Sequence, residues 1–127
     1  MKTIICAFLI SFLFACNQKN ETIINENLLL FKTSFLSESD NEKYDEILKI
    51  KKLNKPEIKY LNDLIYVSYL TQVNACDEIK GNIAIKNDTI FLQPFSNSEE
   101  VCTSTSLGRF TFIISNYKEL KYSIIIK

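Results

Sequence analysis

Two short segments of this chain have the same form, and they constrain the fold more than anything else in it. Ile58-Lys59-Tyr60-Leu61 meets Leu64-Ile65-Tyr66-Val67 across Asn62-Asp63, and Ile83-Ala84-Ile85-Lys86 meets Thr89-Ile90-Phe91-Leu92 across Asn87-Asp88. Alternation of period two marks a strand. A two-residue link of side chains that tolerate positive φ closes an antiparallel hairpin. The link fixes the register: Leu61 opposite Leu64, Tyr60 opposite Ile65 and Ile58 opposite Val67. In the second hairpin Ile85 falls opposite Ile90 and Ile83 opposite Leu92, so one face is apolar. Two copies do not establish a repeat architecture.

The strand after Asp63 carries Ile65, Val67 and Tyr69 on one face and Leu64, Tyr66 and Leu70 on the other. A strand apolar on both faces is central and covered on each side, by a second sheet or by a helix. Near the end of the chain Phe110, Phe112 and Ile114 share one face, opposite Arg109, Thr111 and Ile113. Asn116 to Leu120 then turns the chain, and Tyr122, Ile124 and Ile126 alternate in a last strand. Leu48 and Ile50 alternate with lysines and read as a strand that Asn54-Lys55-Pro56 ends. From Ile24, the positions Leu28, Phe31 and Phe35 fit a helix, whereas Leu28-Leu29-Leu30-Phe31 fits a buried strand, and periodicity does not separate the two over so short a run. Ser37 to Glu46 is polar and acidic, a surface loop or a first helical turn. The expectation is all-β: an antiparallel meander or small sandwich of six to seven strands, with room for one short helix.

The start of the chain reads differently. Lys2 precedes an apolar run from Ile4 to Phe14 broken only by Ser11, too short for a spanning helix, which needs roughly 20 apolar residues, and matching the apolar region of a signal peptide. It ends in Leu13-Phe14-Ala15-Cys16, which resembles the lipobox of bacterial lipoproteins. The resemblance implies cleavage before Cys16 and lipid on its thiol and amino group. The division expected is a leader over 1–15, a lipidated tether over 16–27 and one β domain over 28–127. Asn17 follows the cysteine, in place of the aspartate that retains many lipoproteins in the inner membrane. Gln18-Lys19-Asn20-Glu21 resembles the lysine-plus-acid export tags of some surface lipoproteins, although a polar tether keeping the domain clear of the lipid is the favoured reading. The expected location is the outer membrane, on its periplasmic side or at the cell surface.

Of the four cysteines, Cys6 leaves with the leader and Cys16 takes lipid. Cys76 and Cys102 remain, in a compartment where disulfides persist. A bond between them follows by elimination, worth roughly 3 kcal/mol for a loop of this length. It would pin two long loops together at one end of the sheet. A catalytic cysteine would need an activating base, and the chain contains no histidine. Zinc is disfavoured for the same reason, with two thiols and no imidazole.

Tyr66 to Phe112 carries VSYL, NACDEIKGNIAIKNDTIFL and CTSTS. These stretches, with the leader, resemble small Gram-negative envelope lipoproteins that have a lipobox and a two-cysteine β domain. The motifs are turn residues and cysteines, so the resemblance brings no catalytic residues with it.

Little in the chain points to chemistry. Fifteen basic against fifteen acidic residues leave no electrostatic footprint for nucleic acid, and no cofactor or metal is implied. Asp77-Glu78, Glu99-Glu100 and the group Asp40, Glu42, Asp45 and Glu46 could supply a carboxylate pair for hydrolysis, yet neighbours in a strand point opposite ways. The hydroxyl run from Thr103 to Ser106 has no nucleophile elbow around it and reads as a loop satisfying its own backbone. Tyr60, Tyr66, Tyr69 and Tyr122 could line a carbohydrate or peptide groove, or be core and cross-strand partners. The function expected is a non-catalytic binding or accessory module, attached to the membrane through Cys16 and engaging an envelope protein or glycan. An inhibitor of a secreted hydrolase is the alternative, and a carboxylate-based hydrolase ranks third.

Overall fold

The computed structural model describes residues 22–38, 41–100 and 102–127. Cys6, Cys16, the Gln18–Glu21 stretch and Asp40 lie outside them. The elements run β1 (Leu28–Glu38), α1 (Glu42–Ile50), β2 (Glu57–Leu61), β3 (Leu64–Asn74), β4 (Ile79–Lys86), β5 (Thr89–Ser96), β6 (Thr105–Ser115) and β7 (Ser123–Ile126). Among the described residues seven strands form two sheets, one ordered β1-β6-β3-β2 and the other β4-β5-β7. They make an all-β sandwich with, among the described residues, one short helix.

Both hairpins form in the expected register. Leu61 pairs with Leu64, Tyr60 with Ile65 and Ile58 with Val67. Ile85 pairs with Ile90 and Ile83 with Leu92. The first residue of each link takes the left-handed conformation, Asn62 at φ 51° and Asn87 at φ 54°, which asparagine tolerates better than most residues. One hairpin enters each sheet, so the common turn serves two different layers.

The core lies between the sheets. Ile65, Val67 and Tyr69 of β3 and Phe110, Phe112 and Ile114 of β6 meet Ile83, Ile90 and Leu92 across the sandwich. Phe31 of β1 wedges in, 4.8 Å from the Phe112 ring centroid and 5.6 Å from that of Phe110. It reaches this position because Gly81 of β4 has no side chain. A β-carbon there would overlap the Phe31 ring, with Cε2 at 2.9 Å.

Three expectations change. Residues 42–50 are helical, so the strand expected through Leu48 and Ile50 is not formed. Asn41 caps the helix, its side chain accepting from the Lys43 N–H at 3.0 Å. Tyr44, Ile47 and Leu48, at helical spacing, pack on Leu70 and Leu107. That covers part of the outer face of β3, so this strand is buried by a sheet on one side and a helix on the other. The open choice over 24–36 resolves as β1, from Leu28. Register shifts between Leu28 and Leu30 and between Phe35 and Ser37 bring Leu36 to the helix side. Finally, β7 runs parallel to β5, because β6 crosses to the other sheet between them.

The chain before β1 is already attached to the domain. Asn25 N–H donates to the Asn82 side chain at 2.8 Å, and Asn82 donates to the Ile23 carbonyl at 3.0 Å. The folded unit therefore takes in the last residues of the 16–27 segment.

Candidate functional site

At one end of the sandwich the disulfide Cys76–Cys102 joins the turn after β3 to the approach to β6, with 5.8 Å between the α-carbons. Asn74, the last residue of β3, organises both sides. Its side-chain oxygen accepts from the Cys76 N–H at 3.0 Å and the Cys102 N–H at 3.3 Å, and its amide donates to the Cys102 carbonyl. Ala75 N–H adds a bond to the Ser104 carbonyl at 3.0 Å. Much of this loop is thus braced by one asparagine, where the sequence pointed to its own hydroxyl run.

A concavity lies elsewhere, on the outer face of the larger sheet. There the segment that follows α1, held to β3 by Asn54 N–H donating to the Leu70 carbonyl at 2.7 Å, borders a groove of about 520 Å³, within the range of small-ligand sites. Tyr66, Ser68, Leu70 and Arg109 form its floor, and Ile50, Lys51, Lys52, Lys55, Pro56 and Glu57 its wall. Antiparallel register sets the floor: Leu70 pairs with Arg109, Ser68 with Thr111 and Glu57 with Ser68. Tyr66, Ser68 and Leu70 alternate with the core residues of β3, so they face outward together.

The electrostatics of the groove are one-sided. Lys51, Lys52 and Lys55 are exposed and Arg109 is half-buried. The carboxylate in the lining, Glu57, is engaged by Lys59 at 3.0 Å. That hydrogen bond and charge hold Glu57 below the usual carboxylate range and raise Lys59. Among the described residues, Arg109 has neither a salt bridge nor a side-chain hydrogen bond. The lysines are also accounted for in part by the negative end of the α1 dipole. Arg109, on a strand, is not.

The tyrosines separate by role. Tyr60 donates its hydroxyl to the Tyr122 carbonyl at 2.9 Å and accepts from the Tyr122 N–H at 3.1 Å, tying β2 to the approach to β7. Lys121 Nζ sits 3.8 Å from the centroid of the Tyr60 ring. Tyr69 lies in the core with its hydroxyl buried and unpartnered, and burial drives its pKa upward. Tyr66 presents its ring to the groove.

The candidate acids are dispersed. Asp77 and Glu78 lie in the disulfide loop, where Asp77 accepts from Ser96. Glu99 and Glu100 are exposed in the connection before β6, and Glu42, Asp45 and Glu46 are exposed on α1. Among the described residues no cluster of acids, cysteines or histidines is arranged to hold a metal ion. The sequence reasoning singled out Tyr66 but not Arg109 or the three lysines. In the sequence Arg109 shows only as one residue on the face opposite Phe110.

No family model matches the chain, and neither a curated relative nor a solved structure does.

Proposed function

We propose that this chain is an envelope lipoprotein, held to a membrane through lipid on Cys16, whose folded part binds a ligand without turning it over. The leader ending in Leu13-Phe14-Ala15-Cys16, and the resemblance to small Gram-negative envelope lipoproteins, support the anchor and an outer-membrane location. One observation carries the binding role: among the described residues Arg109 has no ion-pair partner on the floor of a groove whose lining carboxylate is engaged by Lys59. An unpaired guanidinium beside three more cations provides recognition of an anion. Glycoside hydrolysis of the usual kind needs two carboxyl groups facing a common substrate, and among the described residues the groove lining holds Glu57 alone.

The rival reading, an inhibitor of a secreted hydrolase, calls for a loop reaching away from the domain. The connection between β5 and β6 is instead tied back to the β3–β4 turn by the disulfide and by Asn97 N–H donating to the Glu78 carbonyl at 2.8 Å.

Two measurements test the proposal. Mass spectrometry of the protein from a Gram-negative host should find Cys16 as a lipidated N-terminus, and an unmodified mature N-terminus would remove the anchor. A screen against glycoside, peptide and ester substrates should give no turnover. Turnover lost on replacing a single carboxylate such as Glu57, Glu78 or Glu100 would make the protein an enzyme.

A further inference from the structure

We infer that the Arg109 groove takes an acidic saccharide, a sugar carrying a carboxylate or phosphate. This rests on the binding role proposed above and specifies the class of its ligand. The guanidinium of Arg109 presents a planar fork of donors, which matches two oxygens of a carboxylate or phosphate at once. Leu70 and Ser34 stand opposite it on β3 and β1, and the nearby carboxylate that feels its charge, Glu57, is bridged by Lys59 at 3.0 Å. Lys51, Lys52 and Lys55 along the wall suit further anionic groups spaced along a chain rather than a single small ion.

The apolar surface of the same groove separates a sugar from a free anion. Tyr66 lines the floor, with Lys59 Nζ 5.9 Å from its ring centroid, and Ile50 lines the wall with 81% of its surface exposed. An isolated phosphate ion has nothing to place against either. A pyranose ring has an apolar C–H face for an aromatic ring and, when acidic, a charge for the arginine. Ser68, buried beside Tyr66, adds a hydroxyl of the kind that fixes orientation in such sites. The groove is open at the surface, as an internal stretch of polymer requires.

The test uses full-length protein in non-ionic detergent, titrated by calorimetry with oligogalacturonate, with neutral dextran and with inorganic phosphate. Oligogalacturonate should bind, dextran should not, and phosphate should bind more weakly. Arg109→Ala should weaken oligogalacturonate binding at least about tenfold, as expected for a lost charge-assisted hydrogen bond. Arg109→Lys should recover only part of that loss, since it keeps the charge and loses the fork. Tyr66→Ala should weaken oligogalacturonate while leaving phosphate unchanged. Lys80→Ala, on the other sheet, should change neither. Absence of oligogalacturonate binding overturns the inference, as does an Arg109→Ala protein that binds it like the wild type. Equal binding of dextran would make the charges irrelevant and overturn it too. Phosphate binding as tight as oligogalacturonate would mark a small-anion site and likewise overturn it. The lipid on Cys16, read by mass on the same samples, and release of shortened oligomers report separately on the anchor and on the absence of catalysis.

Discussion

Gly81→Ala is the substitution whose effect the structure predicts most directly. Alanine normally improves a strand position, because glycine loses more backbone freedom on folding, a gain of roughly 0.5–1 kcal/mol. Here the new β-carbon would overlap the Phe31 ring. That ring is not free to yield. It lies 5.6 Å from the centroid of Phe110, edge-on, and 4.8 Å from that of Phe112, both buried. Its one escape is outward, which gives up both contacts and parts β1 from β4. Overpacking of this kind costs about 1–3 kcal/mol, so after the glycine gain the net loss at mid-range is about 1 kcal/mol. In a domain near 100 residues that lowers the melting temperature by roughly 4–8 °C. The assay is thermal and urea unfolding of a soluble form without the leader and Cys16, followed by circular dichroism. A second substitution isolates the cause. Phe31→Leu shortens the ring that obstructs, so Gly81→Ala should cost less in the Phe31→Leu protein than in the wild type. A coupling of about 1 kcal/mol is expected for residues in contact. Gly81→Ala as stable as the wild type, or additive effects of the two changes, would refute this account of how β1 docks.

Two further predictions concern the disulfide and the buried tyrosine. Native protein should show no free thiol at Cys76 or Cys102, and reduction should lose roughly 3–4 kcal/mol for a bond closing a separation of 26 residues; two alkylatable thiols would contradict it. Tyr69→Phe removes a buried hydroxyl that has no partner, so it should be neutral or stabilising by up to about 1 kcal/mol, unlike most core changes. It should also alter the alkaline limb. Burial raises the Tyr69 pKa, so above about pH 10 the unfolded tyrosine ionises while the folded one stays neutral, and its contribution falls as pH rises. Unfolding curves from pH 9 to 11 should be flatter for Tyr69→Phe, and identical slopes would exclude Tyr69 as a source of the loss.

How much was legible in the sequence follows from how local each signal is. The hairpins were readable because asparagine in a two-residue link and alternating side chains fix a register without outside help. The disulfide was readable by elimination. The helix was not, although its signal was present: Asn41 as a cap, acids in the first turn, and Tyr44, Ile47 and Leu48 at helical spacing. Leu48 and Ile50 by themselves also fit a strand, and only with Tyr44 does the spacing become helical. What commits the segment to helix is the apolar outer face it covers at Leu70 and Leu107, a tertiary requirement. The parallel pairing of β7 depends on β6 crossing between layers, and short-range pattern says nothing of that. Arg109 and the three lysines come together only after the segment following α1 docks on β3 through Asn54 and Leu70, so their joint charge was invisible in a chain of balanced composition.

The placement of the tether bears on how the groove could work. The chain reaches the domain through Ile23 and Asn25, held by Asn82 on β4, an edge strand of the smaller sheet. The groove opens on the outer face of the larger sheet, over β6 and β3. Two residues after Asn25, Asn27 accepts from the Ser115 N–H at 2.8 Å and Leu28 opens β1, an edge strand of the larger sheet. The chain thus enters across both layers, at the edge formed by β1 and β4, whereas the groove lies over β3 and β6. Cations gathered there in a chain of balanced composition concentrate positive charge at one place rather than over the whole surface, which suits recognition of a local anionic ligand.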